Sequence, residues 1–459
     1  MRQLLISAAG HAADYREAAA DRPVFPSDVD LDAMRVALGS LPDGPNPADA
    51  VVRELTAIVE PGIVASSGPR YFGFVVGGAL DAATAADVLA TGWDQPAFNA
   101  VTSPAAALVE EVAGGWLKEL LGLPAHASFG FVTGGQGANT VALAAARHHV
   151  LATAGWDVEE RGLHGAPAVR VVATGERHAT IDRALRLLGL GTACLEPVAT
   201  DGQGALEVDD LWRVLAARSD GPTIVCLQAG NVNSGAFDDL AGATAAAHEH
   251  GAWVHVDGAF GLWAGASAQT RHLVAGVETA DSWATDGHKW LNVPYDSGYV
   301  FCAHPAAHLA AMSLAASYLV GQDYGGLRSP AYYVLESSRR ARGFTTWAAL
   351  RELGREGVAS LIDRCCALAR RFASSLAALD GVSVVNDVVL NQVLVRFGSD
   401  ERTDAVVEAV QRSGECWMGA TTWHGMRLMR ISVSNWRTTE ADVDRSVAAI
   451  AAAALKTAL

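Results

Sequence analysis

The chain has 459 residues, half of them hydrophobic and only 18% charged. That is too long for one comfortable core, so one large domain with one or two smaller ones is expected. A net charge of −16 argues against nucleic-acid or anionic-membrane partners, because phosphates would be repelled over most of the surface.

Residues 1–65 read as helical pieces broken by Pro23, Pro26 and Pro42, an N-terminal arm. From 66 to 310, short β-rich runs alternate with helical patterns. A helix is expected over Ala105–Leu121, then a strand over Phe129–Thr133, a glycine-rich turn and a helix running through His149. Strands follow at Val169–Ala173, Thr223–Gln228, Trp253–Val256, Ser282–Thr285 and Gly298–Cys302, with helices at Ile181–Leu188 and Leu240–His250. Short buried strands alternating with helices indicate an α/β domain with a largely parallel sheet. From 311 to 459 the chain is irregular, then helical over Thr346–Leu379. Strands at Val382–Val385, Gln392–Phe397 and Leu428–Val433, around a helix at Asp404–Ser413 and before one at Glu440–Leu455, suggest a small α+β C-terminal domain. The six cysteines show no CxxC pair and no metal-like spacing with histidine, and read as reduced core residues of a cytoplasmic protein. No apolar run is long enough to span a bilayer.

The chemistry concentrates in His255-Val256-Asp257 and, downstream, Asp286-Gly287-His288-Lys289-Trp290. Alone, Asp257 reads as a turn cap and Lys289 as a surface charge. Together, after apolar runs, they suit pyridoxal phosphate, which needs an amine for its aldehyde and a carboxylate to keep its ring nitrogen protonated. Gly134-Gly135-Gln136-Gly137 lies between a strand and a helix start, where backbone N–H groups and the helix dipole favour a phosphate. It lacks a Walker lysine and dinucleotide spacing. His178 is a candidate to stack on the ring, against the plainer reading of a loop or capping residue. Asn231 follows a strand and is either a ligand of the ring hydroxyl or simple turn chemistry. Ala259, two residues after Asp257, is small enough to lie under the ring.

In this order, these segments resemble the group II pyridoxal-phosphate-dependent amino-acid decarboxylases, among them the aromatic-amino-acid, tyrosine and glutamate enzymes. Pro69-Arg70-Tyr71-Phe72, Ser103-Pro104 and Ser338-Arg339-Arg340-Ala341-Arg342 extend the likeness from about residue 60 to the C-terminus. The resemblance implies the fold type I transferase architecture of the aspartate aminotransferases, with a mostly parallel seven-stranded sheet. It implies Lys289 as the Schiff-base lysine, Asp257 at the ring nitrogen and His178 on the ring face. Gly134, Gly135, Gln136 and His288 would hold the phosphate, with Asp286 in the cofactor site where relatives often have asparagine or another polar residue, and Phe74 and Phe98 would line the substrate pocket. It also implies a homodimer whose active sites draw on both subunits.

Three departures stand out: Gln136-Gly137 in the phosphate loop, Asn231 in place of a threonine, and a shortened stretch from Tyr318 to Tyr333. In relatives that stretch carries a tyrosine that protonates the carbon left after CO₂ departs; Tyr324, Tyr332 and Tyr333 are the candidates here. Arg430 either binds the substrate carboxylate or makes a structural ion pair at a strand end. The expected reaction is decarboxylation of an L-amino acid to its amine. The rivals are a carbon–carbon lyase, an aldehyde-forming oxidative decarboxylase, an aminotransferase, and a non-catalytic binding protein on the same scaffold. Tyr71, Phe72, Phe74, Trp93 and Phe98 suggest an aromatic or apolar substrate, or else core packing.

Overall fold

A computed structural model describes residues 1–26, 29–217, 221–314 and 325–457. Tyr318 and Tyr324 lie outside the described residues. Contacts divide the chain into two compact units. The first comprises Met1–Gly78, Leu368–Val385 and Val393–Leu459, and the second Ala79–Ala367 and Asn386–Gln392.

The second unit is built on a seven-stranded sheet. Its strands are β1 (Ser128–Val132), β2 (Arg170–Thr174), β3 (Leu195–Val198), β4 (Thr223–Gln228), β5 (Trp253–Asp257), β6 (Ser282–Asp286) and β7 (Gly298–Cys302). They are ordered β1-β7-β6-β5-β4-β2-β3. β7 runs antiparallel to both β1 and β6, and the remaining pairs are parallel. Every residue of β1, β2 and β4–β7 is buried. That explains why these strands read as unbroken apolar runs rather than alternating ones: a parallel sheet is covered on both faces. The helix Gly135–Thr153 packs on this sheet through a face of Ala138, Val141, Ala142, Ala145 and Ala146. Its small side chains bring the helix close to the strands, so the helix start and the strand ends form one rigid frame.

The first unit contains the helices Arg2–Ala18, Leu31–Leu38 and Ala48–Val59. It also holds, save for Gln392, a four-stranded sheet of β8 (Ser383–Val384), β9 (Gln392–Arg396), β10 (Gly419–Trp423) and β11 (Met426–Ser432), ordered β10-β11-β9-β8. β10 and β11 form a hairpin whose two turn residues, His424 and Gly425, both have positive φ. Such a turn matches the twist of the flanking strands, and a glycine takes the left-handed position at no steric cost. The terminal helix Glu440–Lys456 starts at a reciprocal cap between Thr439 and Asp442. Among the described residues, no helix is long and apolar enough to cross a membrane.

Candidate active site

In a parallel sheet the carboxyl ends of the strands open a crevice for ligands. Here β5 ends at Asp257 and β6 at Asp286, and the chain leaving β1 enters the helix Gly135–Thr153 through Gly134. A Cβ built on Gly134 would lie 2.9 Å from His288 Cε1 and 3.3 Å from Asp286 Oδ1. One on Gly135 would lie 3.1 Å from Asp286 Oδ2 and 3.8 Å from the Ala259 methyl. Bare backbone is therefore what lets the helix start approach these side chains. The first turn leaves its N–H groups without helical partners, as an anion site requires.

Asp257 is buried and accepts from Asn139 Nδ2 at 3.0 Å and from the Ala259 N–H at 3.3 Å. Asp286, also buried, lies 2.9 Å from Lys289 Nζ through Oδ2 and 3.6 Å from His288 Nε2 through Oδ1. His288 is fixed on its other side, where Nδ1 accepts from the Ser297 N–H at 3.1 Å and the ring stacks on Tyr295. The proton of neutral His288 therefore sits on Nε2, facing Asp286. Burial pushes the His288 pKa down, against the opposing pull of Asp286. Gly134, Gly135, Ala259, Asp286, His288 and Lys289 thus form one cluster, and Asp257 is tied to the same helix through Asn139.

The remaining candidates differ in their surroundings. Gln136 turns its amide to Thr180 O at 3.2 Å and Thr140 Oγ1 at 3.3 Å, leaving its backbone N–H as the group available to an anion. His178 is the exposed N-cap of the helix Ala179–Leu187, and its Nδ1 accepts from the Thr180 N–H at 3.3 Å. Asn231 is buried in the turn after β4. Its Oδ1 accepts from the Asn233 and Ser234 N–H groups of its own turn, while its buried Nδ2 has no hydrogen-bond partner.

Phe98 is half-buried in the second unit, where its carbonyl accepts from the Ala331 N–H. Phe74 and Arg430 belong to the first unit. Phe74 is exposed with φ 53°, and its ring stacks at 5.7 Å on Trp417, which stacks in turn on Tyr71 at 5.1 Å. Burial pulls the Arg430 pKa down. Sequence reasoning missed Trp417, although the neighbouring Tyr71-Phe72-Gly73-Phe74 carries a signal: a Cβ on Gly73 would collide with the Trp417 ring. It also missed Asn139, whose polarity interrupts an alanine-rich helix face.

The model of the pyridoxal-dependent decarboxylase conserved domain matches residues 32–398. The chain belongs to this family. The enzyme is a pyridoxal-phosphate-dependent amino-acid decarboxylase, a carboxy-lyase with the fold type I architecture. Among its relatives, tryptophan decarboxylase 1 of Oryza sativa subsp. japonica is 27% identical over 95% of this chain and 90% of that protein. The aromatic-L-amino-acid decarboxylase of Bos taurus is 28% identical over 87% and 85%. A phenylacetaldehyde synthase of Arabidopsis thaliana is 26% identical over 92% and 89%. The crystal structure of Oryza sativa TDC with PLP and tryptamine superposes with a TM-score of 0.91 at 25% identity, covering 99% of this chain and 97% of that one.

Proposed function

We propose that the enzyme converts an L-amino acid with an aromatic or apolar side chain to its amine and CO₂, with Lys289 as the cofactor-bearing lysine. The observation that supports this best is the meeting of a lysine, a histidine and a glycine-lined helix start at strand ends that also carry the buried carboxylate Asp257. The residues suit pyridoxal phosphate. Gly134 and Gly135 bring the bare backbone N–H groups of the helix start close to His288 and Asp286, the buried Asn231 Nδ2 is an unpaired donor for the ring hydroxyl, and Asp257 retains acceptor capacity for a ring N–H. When bound, the cofactor supplies an aldehyde that captures amines and a ring that withdraws electrons from the bond that breaks.

Each residue then has a definite task. The backbone N–H groups of Gly134, Gly135 and Gln136, with His288 Nε2–H, hold the phosphate. Asp286 orients His288 and Lys289 through its two oxygens. Asp257 would keep the cofactor's ring nitrogen protonated, and Ala259 and His178 would help to hold the ring. Lys289 would supply the amine that holds the cofactor's aldehyde. Phe98 contacts the substrate side chain. Tyr332 and Tyr333, both half-buried, remain candidates to protonate the substrate carbon; Tyr324 lies outside the described residues.

The aromatic class is favoured by the rice tryptophan decarboxylase and bovine aromatic-amino-acid decarboxylase among the relatives. Similarity to the Arabidopsis phenylacetaldehyde synthase keeps aldehyde-forming oxidative decarboxylation as the second reading. We also propose a homodimer with shared active sites. The N-terminal helices leave Leu5, Ile6, Val36, Val51 and Leu55 exposed, an apolar surface suited to a second copy. The six free cysteines favour the reducing cytoplasm as the place of action. Lys289→Ala tests the central assignment: it should abolish both turnover and the visible absorbance of the bound aldehyde. Undiminished turnover would refute it.

A further inference from the structure

Asn139 is a fully buried polar residue on an alanine-rich helix. It lies about one turn after Gly135, so it belongs to the same rigid segment as the phosphate-facing helix start. Its carboxamide meets three groups. Nδ2 lies 3.0 Å from Asp257 Oδ2 and 3.0 Å from Thr180 Oγ1, and Oδ1 lies 2.9 Å from His255 Nε2. His255 stands two residues before Asp257 on β5, and alternation along a strand puts both on one face. Its Nδ1 lies 3.0 Å from the hydroxyl of Ser282, its register partner on β6. The indole Nε1–H of Trp253 donates to that same hydroxyl at 3.0 Å.

The direction of every hydrogen bond follows from the two ends. An indole N–H only donates, and an ionised carboxylate only accepts. Asp257 therefore takes an N–H of Asn139, which turns the amide oxygen towards His255. His255 must then carry its proton on Nε2, and its Nδ1 accepts the Ser282 O–H. Burial holds this histidine neutral, pushing its pKa down to about 4. The second N–H of Asn139 goes to Thr180 Oγ1, whose own O–H points to His178 Nδ1 at 2.9 Å. All donors point the same way, from Trp253 towards Asp257 and His178. With the amide reversed, its oxygen would face the Asp257 carboxylate. Asp257 could relieve that repulsion only by taking up a proton, and it would then be a poor partner for a ring N–H.

We propose that Asn139 is a positioning residue whose amide, locked by the buried Trp253–Ser282–His255 relay, sets Asp257 as a pure acceptor and turns the Thr180 hydroxyl to His178 Nδ1, which the Thr180 N–H already holds as an acceptor. One residue on the phosphate-facing helix thereby aligns the groups at the nitrogen and on the face of the cofactor ring. The proposal rests on the roles given above to Asp257 and His178.

The test uses holoenzyme carrying His255→Leu, His255→Gln, Ser282→Ala or Asp257→Ala. The readouts are the dissociation constant of pyridoxal phosphate and the pH midpoint of its visible absorption band. H255L removes the donor that holds the Asn139 oxygen. It should weaken cofactor binding by about ten- to a hundredfold, the scale of losing an outer partner of a ligating group, and move the pH midpoint. H255Q retains an N–H for the same contact and should restore both. S282A should change both in the same direction by less. Parent-like affinity and midpoint in folded H255L, while D257A loses both, would overturn the relay and leave the site assignment standing. Parent-like values in D257A would instead overturn the site assignment, and the relay with it. If H255L fails to fold, S282A decides, and parent-like values there overturn the proposal.

Discussion

Replacing His308 by glutamine should flatten the acid sensitivity of the fold. His308 is fully buried, with Nε2 3.0 Å from Tyr333 O and Nδ1 2.9 Å from Ser128 Oγ. A carbonyl only accepts, so the proton sits on Nε2 and Nδ1 accepts the Ser128 O–H, leaving a neutral ring. Burial pushes its pKa from 6.5 down to about 3. Below pH 6.5 the unfolded chain binds a proton that the folded chain refuses, so stability falls as pH falls. The contribution is fully present above the unfolded pKa and is lost towards the folded one. Each pH unit in that window costs about 1.4 kcal/mol, or roughly 2 kcal/mol between pH 6.5 and 5. His255, pushed down to about 4 by the same cause, adds a similar loss over that interval. Urea unfolding followed by tryptophan fluorescence, at about pH 7.5 and about pH 5, gives the two stabilities. The parent should lose roughly 2 kcal/mol more than H308Q between them, because a glutamine amide can still donate to Tyr333 O and does not titrate. An equal loss in both proteins would refute the reasoning.

Three further outcomes are expected. Gly134→Ala forces a methyl against His288 and Asp286, so it should destabilise the fold by about 1–3 kcal/mol and weaken pyridoxal phosphate binding in equilibrium dialysis; unchanged binding would remove Gly134 from the cradle. Glu110 accepts from Arg339 Nη2 through both oxygens at 2.7 Å, with both side chains buried. Glu110→Ala should cost about 3–5 kcal/mol in denaturant unfolding by stranding the guanidinium, whereas Glu110→Leu with Arg339→Met should recover most of it. Phe74→Ala removes its stack on Trp417 and should cost about 0.5–1.5 kcal/mol in denaturant unfolding; an unchanged unfolding midpoint would show that the stack contributes nothing.

Much of this architecture was legible because the central strands are apolar on both faces and each ends at a residue that announces itself. Asp257 and Asp286 close β5 and β6, and Gly134-Gly135 marks the turn after β1. The strands that escaped notice are the ones solvent touches. β3 is half-exposed and contains Pro197, so it shows no apolar run, and β10 carries two threonines on an alternating surface. The expected helix at Thr346–Leu379 exists as Gly343–Ala377, but Gly354 interrupts it with φ 61°. Asn139 was invisible as a functional residue because its meaning lies in contacts with three residues between 41 and 118 positions away. In sequence it is one more polar residue near a helix start. His255 likewise reads as a neighbour of Asp257, and only the pairing of β5 with β6 brings it to Ser282.

The central claim is that this chain decarboxylates an amino acid, and product analysis tests it most directly. The enzyme loaded with pyridoxal phosphate is incubated with pooled L-amino acids, with and without air, and the products are identified by mass spectrometry alongside CO₂ release. The account predicts one amine of aromatic or apolar side chain, formed with equimolar CO₂ and independent of oxygen. An aldehyde formed only in air, a keto acid, or a split carbon skeleton with no amine and no matching CO₂ would contradict it.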